Sequence, residues 1–198
     1  MKNIFRKAVS VFLAVPFFNV PVIAEETRAL YIAPFVSSEQ LSYTCKNLID
    51  DFESDTISWA VTDGEAKLTT DSACGKTALS VEYGERTDLS LKFDDINASS
   101  AGGVSAVFKT NTENGVKITV SAEAGSSVYE AEGVVLPGGW YTVSLDIREF
   151  GRRDKLDGVT ISAEGGGFLL DYVHVSSVYA PVGYAENLTE EYTFSGKS

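Results

Sequence analysis

Short runs of alternating apolar and polar residues recur along the chain, with turn residues between them. The run 88–93 reads DLSLKF and the run 141–147 reads YTVSLDI. Successive side chains of a strand point to opposite faces, so each run predicts a strand with one buried face. Asn114-Gly115 and Asp63-Gly64 are hairpin signals. About ten strands and no convincing helix are predicted, which is the pattern of an all-β sandwich or barrel.

The first 24 residues have the layout of a secretory signal peptide. Three cations precede the apolar run 8–18, and Val22 and Ala24 occupy the positions of a cleavage site before Glu25. Because the apolar run is short for a membrane span, cleavage is favoured over a retained anchor. The protein is therefore predicted to be secreted, extracellular or cell-surface associated, with no membrane contact after cleavage.

The chain is acidic, with 28 Asp and Glu against 16 Lys and Arg and a formal net charge of −12. Signal cleavage removes three cations and no acid, which makes the charge more negative still. Such a surface repels nucleic-acid backbones and anionic membranes, so no nucleic-acid partner is expected. Neutral ligands, cations and other secreted or cell-wall proteins remain as partners.

Two cysteines, Cys45 and Cys74, are present. Outside the cytosol a pair of cysteines is more often bridged than free, and this bridge would contribute about 3 kcal/mol. The alternative is two unpaired buried thiols. No CxxC spacing supports zinc or redox chemistry.

No catalytic motif stands out. The single histidine, His174, lies in an alternating run and is interpreted as a surface or packing residue. The sequence contains no GxSxG, HExxH, P-loop or dinucleotide motif. Acidic residues are numerous, but their spacing singles out no pair for glycoside cleavage. The protein is therefore not expected to be an enzyme.

The stretch 48–59, LIDDFESDTISW, gathers three acids around Phe52. Like charges repel and Asp is unfavourable in strands, so the acids are either solvated or offset by a hard cation such as Ca²⁺.

Five segments follow one another along the chain: LIDDFESDTISW, CGKTALSVEY, GGWYTVSLDIREF, LDGVTI and GFLLDYVHV. In this order they resemble the jelly-roll carbohydrate-binding modules of the galactose-binding-domain-like group. The nearest likeness is to the β-glucan-binding modules of bacterial cellulosomal enzymes, and it covers about residues 45–177. The resemblance implies an all-β jelly-roll sandwich of two antiparallel sheets.

The resemblance also implies a structural calcium ion that ties the first strand to the last. The positions that match its ligands are Asp51, Glu53, the backbone of Gly75-Lys76, and Asp171. The role of such an ion is in folding rather than catalysis.

The resemblance further implies that a polysaccharide or other glycan binds on the outer face of one sheet. Sugars need aromatic platforms and polar side chains. The candidate ligand-binding residues are Tyr83, Tyr129, Arg152, Arg153 and Asp154. Tyr129 is expected to point outward because it alternates with Val128.

The chain is accordingly divided into a signal peptide (1–24), a lead-in segment (25–44), a jelly-roll carbohydrate-binding-like domain (45–178) and a tail or linker (179–198). The favoured function is a secreted, non-catalytic carbohydrate-binding module with a structural calcium. One alternative is a structural or adhesion domain that binds a protein or cell-wall partner. A divergent glycan-active enzyme is the other.

Overall fold

The computed structural model describes residues 30–148, 155–181 and 184, without the side chains of Tyr83 and Asp95. Among these residues no helix is long and apolar enough to cross a membrane. The elements are β1 (Leu30–Pro34), α1 (Ser38–Thr44), β2 (Cys45–Asp50), β3 (Ala60–Thr69), β4 (Ala78–Asn97), β5 (Gly103–Lys109), β6 (Val116–Ala124), β7 (Ser127–Val135), β8 (Trp140–Asp146), β9 (Lys155–Glu164) and β10 (Phe168–Ser176).

The strands pair antiparallel along one path, β1-β8-β5-β10-β4-β9-β6-β7. Strand β4 belongs to both halves of this path, because residues 79–81 pair with β10 and residues 86–97 pair with β9. The first layer contains β1, β8, β5, β10 and the start of β4, with β2 paired to β10. The second layer contains the rest of β4, β9, β6 and β7. Strand β3 runs beside β4.

The hydrophobic core lies between the two layers. Phe108, Leu145 and Leu170 come from the first layer, and Ile118 and Ile161 come from the second. None of these side chains is more than 1% exposed. Burying each contributes about 1.5–3 kcal/mol relative to an exposed side chain. The all-β prediction from alternating runs is thus confirmed.

The dipeptide Asp63-Gly64 forms a β-bulge and not the predicted hairpin. Strand β3 continues through it, and the register against β4 shifts between Thr62 and Gly64. Asp63 has a φ of 56°, and a Cβ on Gly64 would collide with the side chain of Thr87. A positive φ beside glycine suits a bulge as well as a turn, so the local signal did not distinguish them.

Two elements lie within the segment 25–44, where the sequence has no clean period. Strand β1 pairs with β8 and forms the edge of the first layer. Helix α1 begins after Ser37, whose hydroxyl accepts a hydrogen bond from the Gln40 amide. Its Leu41 is buried with Val107 against the outer side of the first layer. A seven-residue helix was too short to give a sequence pattern.

Candidate functional site

Polar side chains cover the outer side of the second layer. The strand register aligns them in rows: Asp88, Ser162 and Thr119 are neighbours across β4, β9 and β6. Ser90, Thr160 and Ser121 form the next row. We call this surface the polar face; its members are Arg86, Asp88, Ser90, Lys117, Thr119, Ser121, Thr160, Ser162 and Glu164.

Arg86 is the centre of the hydrogen bonds on the polar face. Its Nε lies 3.1 Å from Asp88 Oδ1, its Nη1 lies 3.5 Å from Glu164 Oε1, and its Nη2 donates to Ser162 Oγ at 3.2 Å. The Ser162 hydroxyl, together with Arg86, holds the pKa of Asp88 below its usual range. Asp88 is therefore ionised at neutral pH, and the guanidinium is held in a fixed plane.

Two acids of β7 extend the polar face at its edge. Glu130 Oε2 accepts a hydrogen bond from Ser121 Oγ at 3.3 Å, and Glu132 forms an ion pair of 2.8 Å with Lys117. None of the members of the polar face is aromatic. Chemically, this surface offers aligned hydroxyls and charged groups that can exchange hydrogen bonds with a ligand rich in hydroxyls. The alternation of 86–92 is the sequence signal that could have identified Arg86.

Tyr129 does not lie on the outer surface, contrary to expectation. It is opposite Ala122 in the pairing of β6 and β7, and it packs partly buried against the core. Its neighbour Val128 takes the outward position and is 54% exposed. The alternation within β7 is ambiguous because valines occupy positions of both parities, and only the register against β6 decides the face.

The other predicted ligand residues are Tyr83, Arg152, Arg153 and Asp154. Tyr83 lies on β4 opposite Gly64, and its side chain is outside the described part of the structure. Arg152, Arg153 and Asp154 lie outside the described residues.

The predicted metal residues Glu53 and Asp171 each bind the loop between β3 and β4. Glu53 Oε1 accepts hydrogen bonds from the amides of Lys76 (2.6 Å) and Thr77 (2.9 Å), which lower the pKa of Glu53. Asp171 Oδ2 accepts from the amides of Ala73 (2.9 Å) and Cys74 (2.8 Å). One carboxylate therefore holds the middle of the loop and the other holds its last two residues, just before β4.

Asp171 retains one carboxylate oxygen, Oδ1, that is buried and has no hydrogen-bond partner among the described residues. Burial is the main cause that raises the pKa of Asp171 to about 6; the charge of nearby Glu53 contributes to this rise, and the hydrogen bonds from the Cys74 and Ala73 amides partly offset it. Asp51 Oδ1 instead accepts from the Glu53 amide at 3.2 Å, and Lys76 presents its N–H, which is a donor and not a metal ligand.

No group of three or more His, Cys, Asp or Glu side chains could hold a metal ion in the described ranges. Glu53 and Asp171 supply two carboxylates to one neighbourhood, and the unpartnered oxygen of Asp171 has the chemistry of a calcium ligand. The side chains thus fit a calcium ion only if backbone carbonyls complete its shell of six to eight oxygens.

Cys45 and Cys74 are both free thiols, so the predicted disulfide is not present. Cys45 pairs with Ser176 near the end of β10, whereas the Cys74 amide binds Asp171 further back on the same strand. Tyr172 interacts with both thiols. Burial raises the pKa of Cys74 to about 12, which keeps that thiol protonated and unreactive.

His174 is completely buried on the outer side of β10, under helix α1. Its Nδ1 lies 3.3 Å from the carbonyl of Tyr172, and Nε2 has no partner among the described residues. Burial lowers the pKa of His174 to about 4. The adjoining cavity, about 20 Å³, has room for about one water and none for a sugar. His174 is therefore a packing residue.

Comparison with solved structures finds the same jelly-roll fold in carbohydrate-binding modules. The family 11 module from Clostridium thermocellum, in complex with a β-1,3-1,4-mixed-linked tetrasaccharide, is 12% identical with a TM-score of 0.53, and the match covers 68% of this chain and 97% of that one. The family 11 module of the cellulosomal cellulase Lic26A-Cel5E of Clostridium thermocellum is 13% identical with a TM-score of 0.51, covering 67% and 94%.

An exo-β-agarase is 8% identical with a TM-score of 0.55, and the match covers 72% of this chain and 26% of the agarase. No protein-family model matches the sequence, and the comparison with curated proteins found no match. At these identities the likeness establishes the jelly-roll fold, which confirms the fold class expected from the sequence.

Proposed function

We propose that this chain is a secreted, non-catalytic carbohydrate-binding module whose polar face binds a glycan. The observation that carries the proposal is the alignment of hydroxyl and charged side chains in rows across three strands. The fold is shared with a family 11 module in complex with a tetrasaccharide, which supports the proposal. Secretion is proposed from residues 1–24, which lie outside the described part of the chain.

The polar face suits a neutral glycan. Arg86 is already oriented by Asp88 and Glu164, so a sugar hydroxyl meets donors and acceptors that need little reordering. The net charge of −12 disfavours polyanionic glycans. Because no member of the polar face is aromatic, affinity there depends on hydrogen bonds more than on stacking, and we expect it to be weak.

The same lack of aromatic residues favours a second candidate function. A flat surface of Ser, Thr, Lys and Glu side chains also suits a structural or adhesion domain that contacts a protein or cell-wall partner. In that case the folded protein binds no soluble glycan.

The test is binding of the chain from Glu25 onward to soluble polysaccharides, beginning with β-1,3-1,4-glucan and xylan. Arg86→Ala should weaken the binding of a positive polysaccharide by about tenfold or more, because it removes a charged donor. Lys67→Ala is the matched control, since Lys67 also forms an exposed ion pair, with Glu82, but lies outside the polar face. Equal binding by Arg86→Ala and wild type contradicts the assignment of the polar face.

We also propose a structural calcium ion between Glu53 and Asp171. The unpartnered, fully buried Oδ1 of Asp171 supports it, as does the electrostatic effect of Glu53 on that carboxyl. A bound Ca²⁺ would neutralise two acids that otherwise repel each other. These residues would hold the ion with backbone oxygens, and its contribution would be to stability.

A further inference from the structure

Three tyrosines meet on the outer side of the first layer, away from the polar face. Tyr31 lies on β1 opposite Ser144, which is fully buried and hydrogen-bonded to Ser105. The ring centroid of Tyr31 is 5.5 Å from that of Tyr179 and 4.9 Å from that of Tyr184. The interplanar angles of 67° and 76° mean that the rings meet edge to face and do not stack. The rings of Tyr179 and Tyr184 are therefore both steeply inclined to the ring of Tyr31.

An arginine and an acid complete this arrangement. The guanidinium carbon of Arg148 lies 3.5 Å from the ring centroid of Tyr179. Its Nε lies 3.1 Å from both carboxylate oxygens of Asp146, and Nη2 lies 2.7 Å from Oδ2. We call the five residues the tyrosine cluster. Its arginine is fixed in a plane by a ring on one side and a carboxylate along one edge.

Two members of the tyrosine cluster are exposed to solvent, and Tyr31 and Tyr179 are half-buried. Tyr184 is 37% exposed and more than half of the Arg148 side chain is accessible. Burial and the charge of Asp146 raise the pKa of Tyr31, so its hydroxyl stays protonated and lies near that carboxylate. The contact between Arg148 and Asp146 uses Nε and Nη2, and Nη1 takes no part in it.

We propose that the tyrosine cluster is a second glycan-binding site, an inference that rests on the proposed carbohydrate-binding function. Sugar rings present apolar C–H faces that pack on aromatic rings, and hydroxyls that bond to charged, planar groups. The tyrosine cluster supplies both kinds of contact, whereas the polar face supplies only the second. The ligand class is a neutral glycan with an exposed pyranose face.

Two sites on opposite layers have a functional consequence. The two sites lie on opposite outer sides of the sandwich, and one polysaccharide chain would have to pass around the domain to reach both. We therefore expect the two sites to bind different polysaccharide chains. The protein would then link neighbouring polysaccharide chains. Its binding to a network of polysaccharide chains would be stronger than its binding to a single oligosaccharide, because both sites are occupied at once.

The test is the number of tetrasaccharide molecules bound per chain, measured by calorimetry with β-1,3-1,4-linked tetrasaccharide and with xylotetraose. Two bound molecules are expected for the wild type, and one for Tyr31→Ala, whose affinity at the tyrosine cluster should fall by about tenfold or more. Arg148→Lys keeps the charge but loses the planar contact, and it should weaken the same site if Tyr31→Ala fails to fold. Tyr43→Ala is the control, because Tyr43 is 78% exposed on α1 outside the cluster.

The possible outcomes distinguish binding at the tyrosine cluster from binding at the polar face. Suppose that the wild type binds one molecule, that Arg86→Ala abolishes this binding and that Tyr31→Ala does not. This result overturns the second site and supports the polar face as the glycan-binding site. One bound molecule that Tyr31→Ala or Arg148→Lys removes and Arg86→Ala leaves intact supports the tyrosine cluster and overturns the polar face. A folded wild type that binds neither tetrasaccharide nor any polysaccharide overturns both proposals.

Discussion

Asp171 and His174 lie three residues apart on the outer side of β10, fully buried, and each has one polar atom without a partner among the described residues. Their pKa values move in opposite directions from those of exposed groups, to about 6 for Asp171 and about 4 for His174. Burial disfavours the charged form of both side chains. The two groups therefore make opposing contributions to stability over the same range of pH.

Asp171→Asn should change how stability depends on pH. The folded protein holds the Asp171 proton up to pH about 6. Its contribution is therefore complete below the unfolded pKa, near 4, and falls by about 3 kcal/mol as pH rises through 6. The free energy of unfolding is measured by urea unfolding in EDTA. Between pH 4 and pH 7 the wild type should lose about 3 kcal/mol that the variant does not lose. Asparagine keeps an oxygen for the Cys74 amide. A difference that does not vary with pH contradicts the shift.

His174→Gln should show the reverse. A folded pKa of about 4 means that the contribution of neutral His174 is complete above pH 6.5 and is lost as pH falls through 4. The loss is about 3 kcal/mol. The free energy of unfolding of the variant should therefore fall less than that of the wild type as the solution is acidified. The same urea series measures it. Equal slopes for His174→Gln and wild type would show that the imidazole titrates normally.

Calcium should stabilise the wild type and not the variants of its proposed ligands. At a concentration one hundred times its Kd, calcium should add about 2.7 kcal/mol to the free energy of unfolding. Glu53→Gln and Asp171→Asn should abolish the difference in Tm between calcium and EDTA, while Glu123→Gln, far from this loop, should retain it. A wild-type Tm that is identical in calcium and EDTA rules the ion out.

Trp59→Ala should destabilise the fold by about 3–5 kcal/mol, because a large buried side chain leaves a cavity. Trp59 is buried beside Phe52, and its Nε1 donates to Asp50 Oδ2 at 2.8 Å. Tyr43→Ala removes an exposed ring and should change stability by less than about 0.5 kcal/mol. Urea unfolding compares the two, and a near-neutral Trp59→Ala would contradict the packing.

The two cysteines should react as free thiols at different rates. Cys45 is half-buried, whereas Cys74 is buried and its pKa is raised to about 12. Iodoacetamide should therefore modify Cys45 first in the native protein, and both cysteines once the protein is unfolded in urea. Peptide mass spectrometry identifies the sites. Resistance of both residues to alkylation in urea, relieved by a reductant, would demonstrate a bridge.

Strand content was predictable because each alternating run carries its own information. The run 141–147 alternates, and its Val143 and Leu145 lie on a buried face, as the pattern predicts. Tyr129 was assigned to the wrong face because its strand has valines at both parities. The face of such a strand depends on its partner, which is a long-range property that the sequence does not carry locally.

The candidate site was less predictable than the fold. Arg86 and Ser162 are far apart in sequence, and only the pairing of β4 with β9 brings them to 3.2 Å. The tyrosine cluster depends on Tyr31, from a segment without a clean period, meeting residues that follow β10. Burial of His174 depends in the same way on α1, whose seven residues are too few to give a helical pattern.

The pairing of β1 with β8 has a practical consequence for expressing this protein. Strand β1 is itself the edge of the first layer, but it has only five residues and ends in Pro34. Without residues 30–34 the open edge would be the seven-residue strand β8, which would present a longer row of unpaired backbone groups. Exposed edges of this kind pair with other chains and promote aggregation. A fragment that starts at Cys45 should therefore be less soluble than one that starts at Glu25, although both retain the central strands. The short strand β1 thereby reduces self-association, because it covers the longer edge of β8.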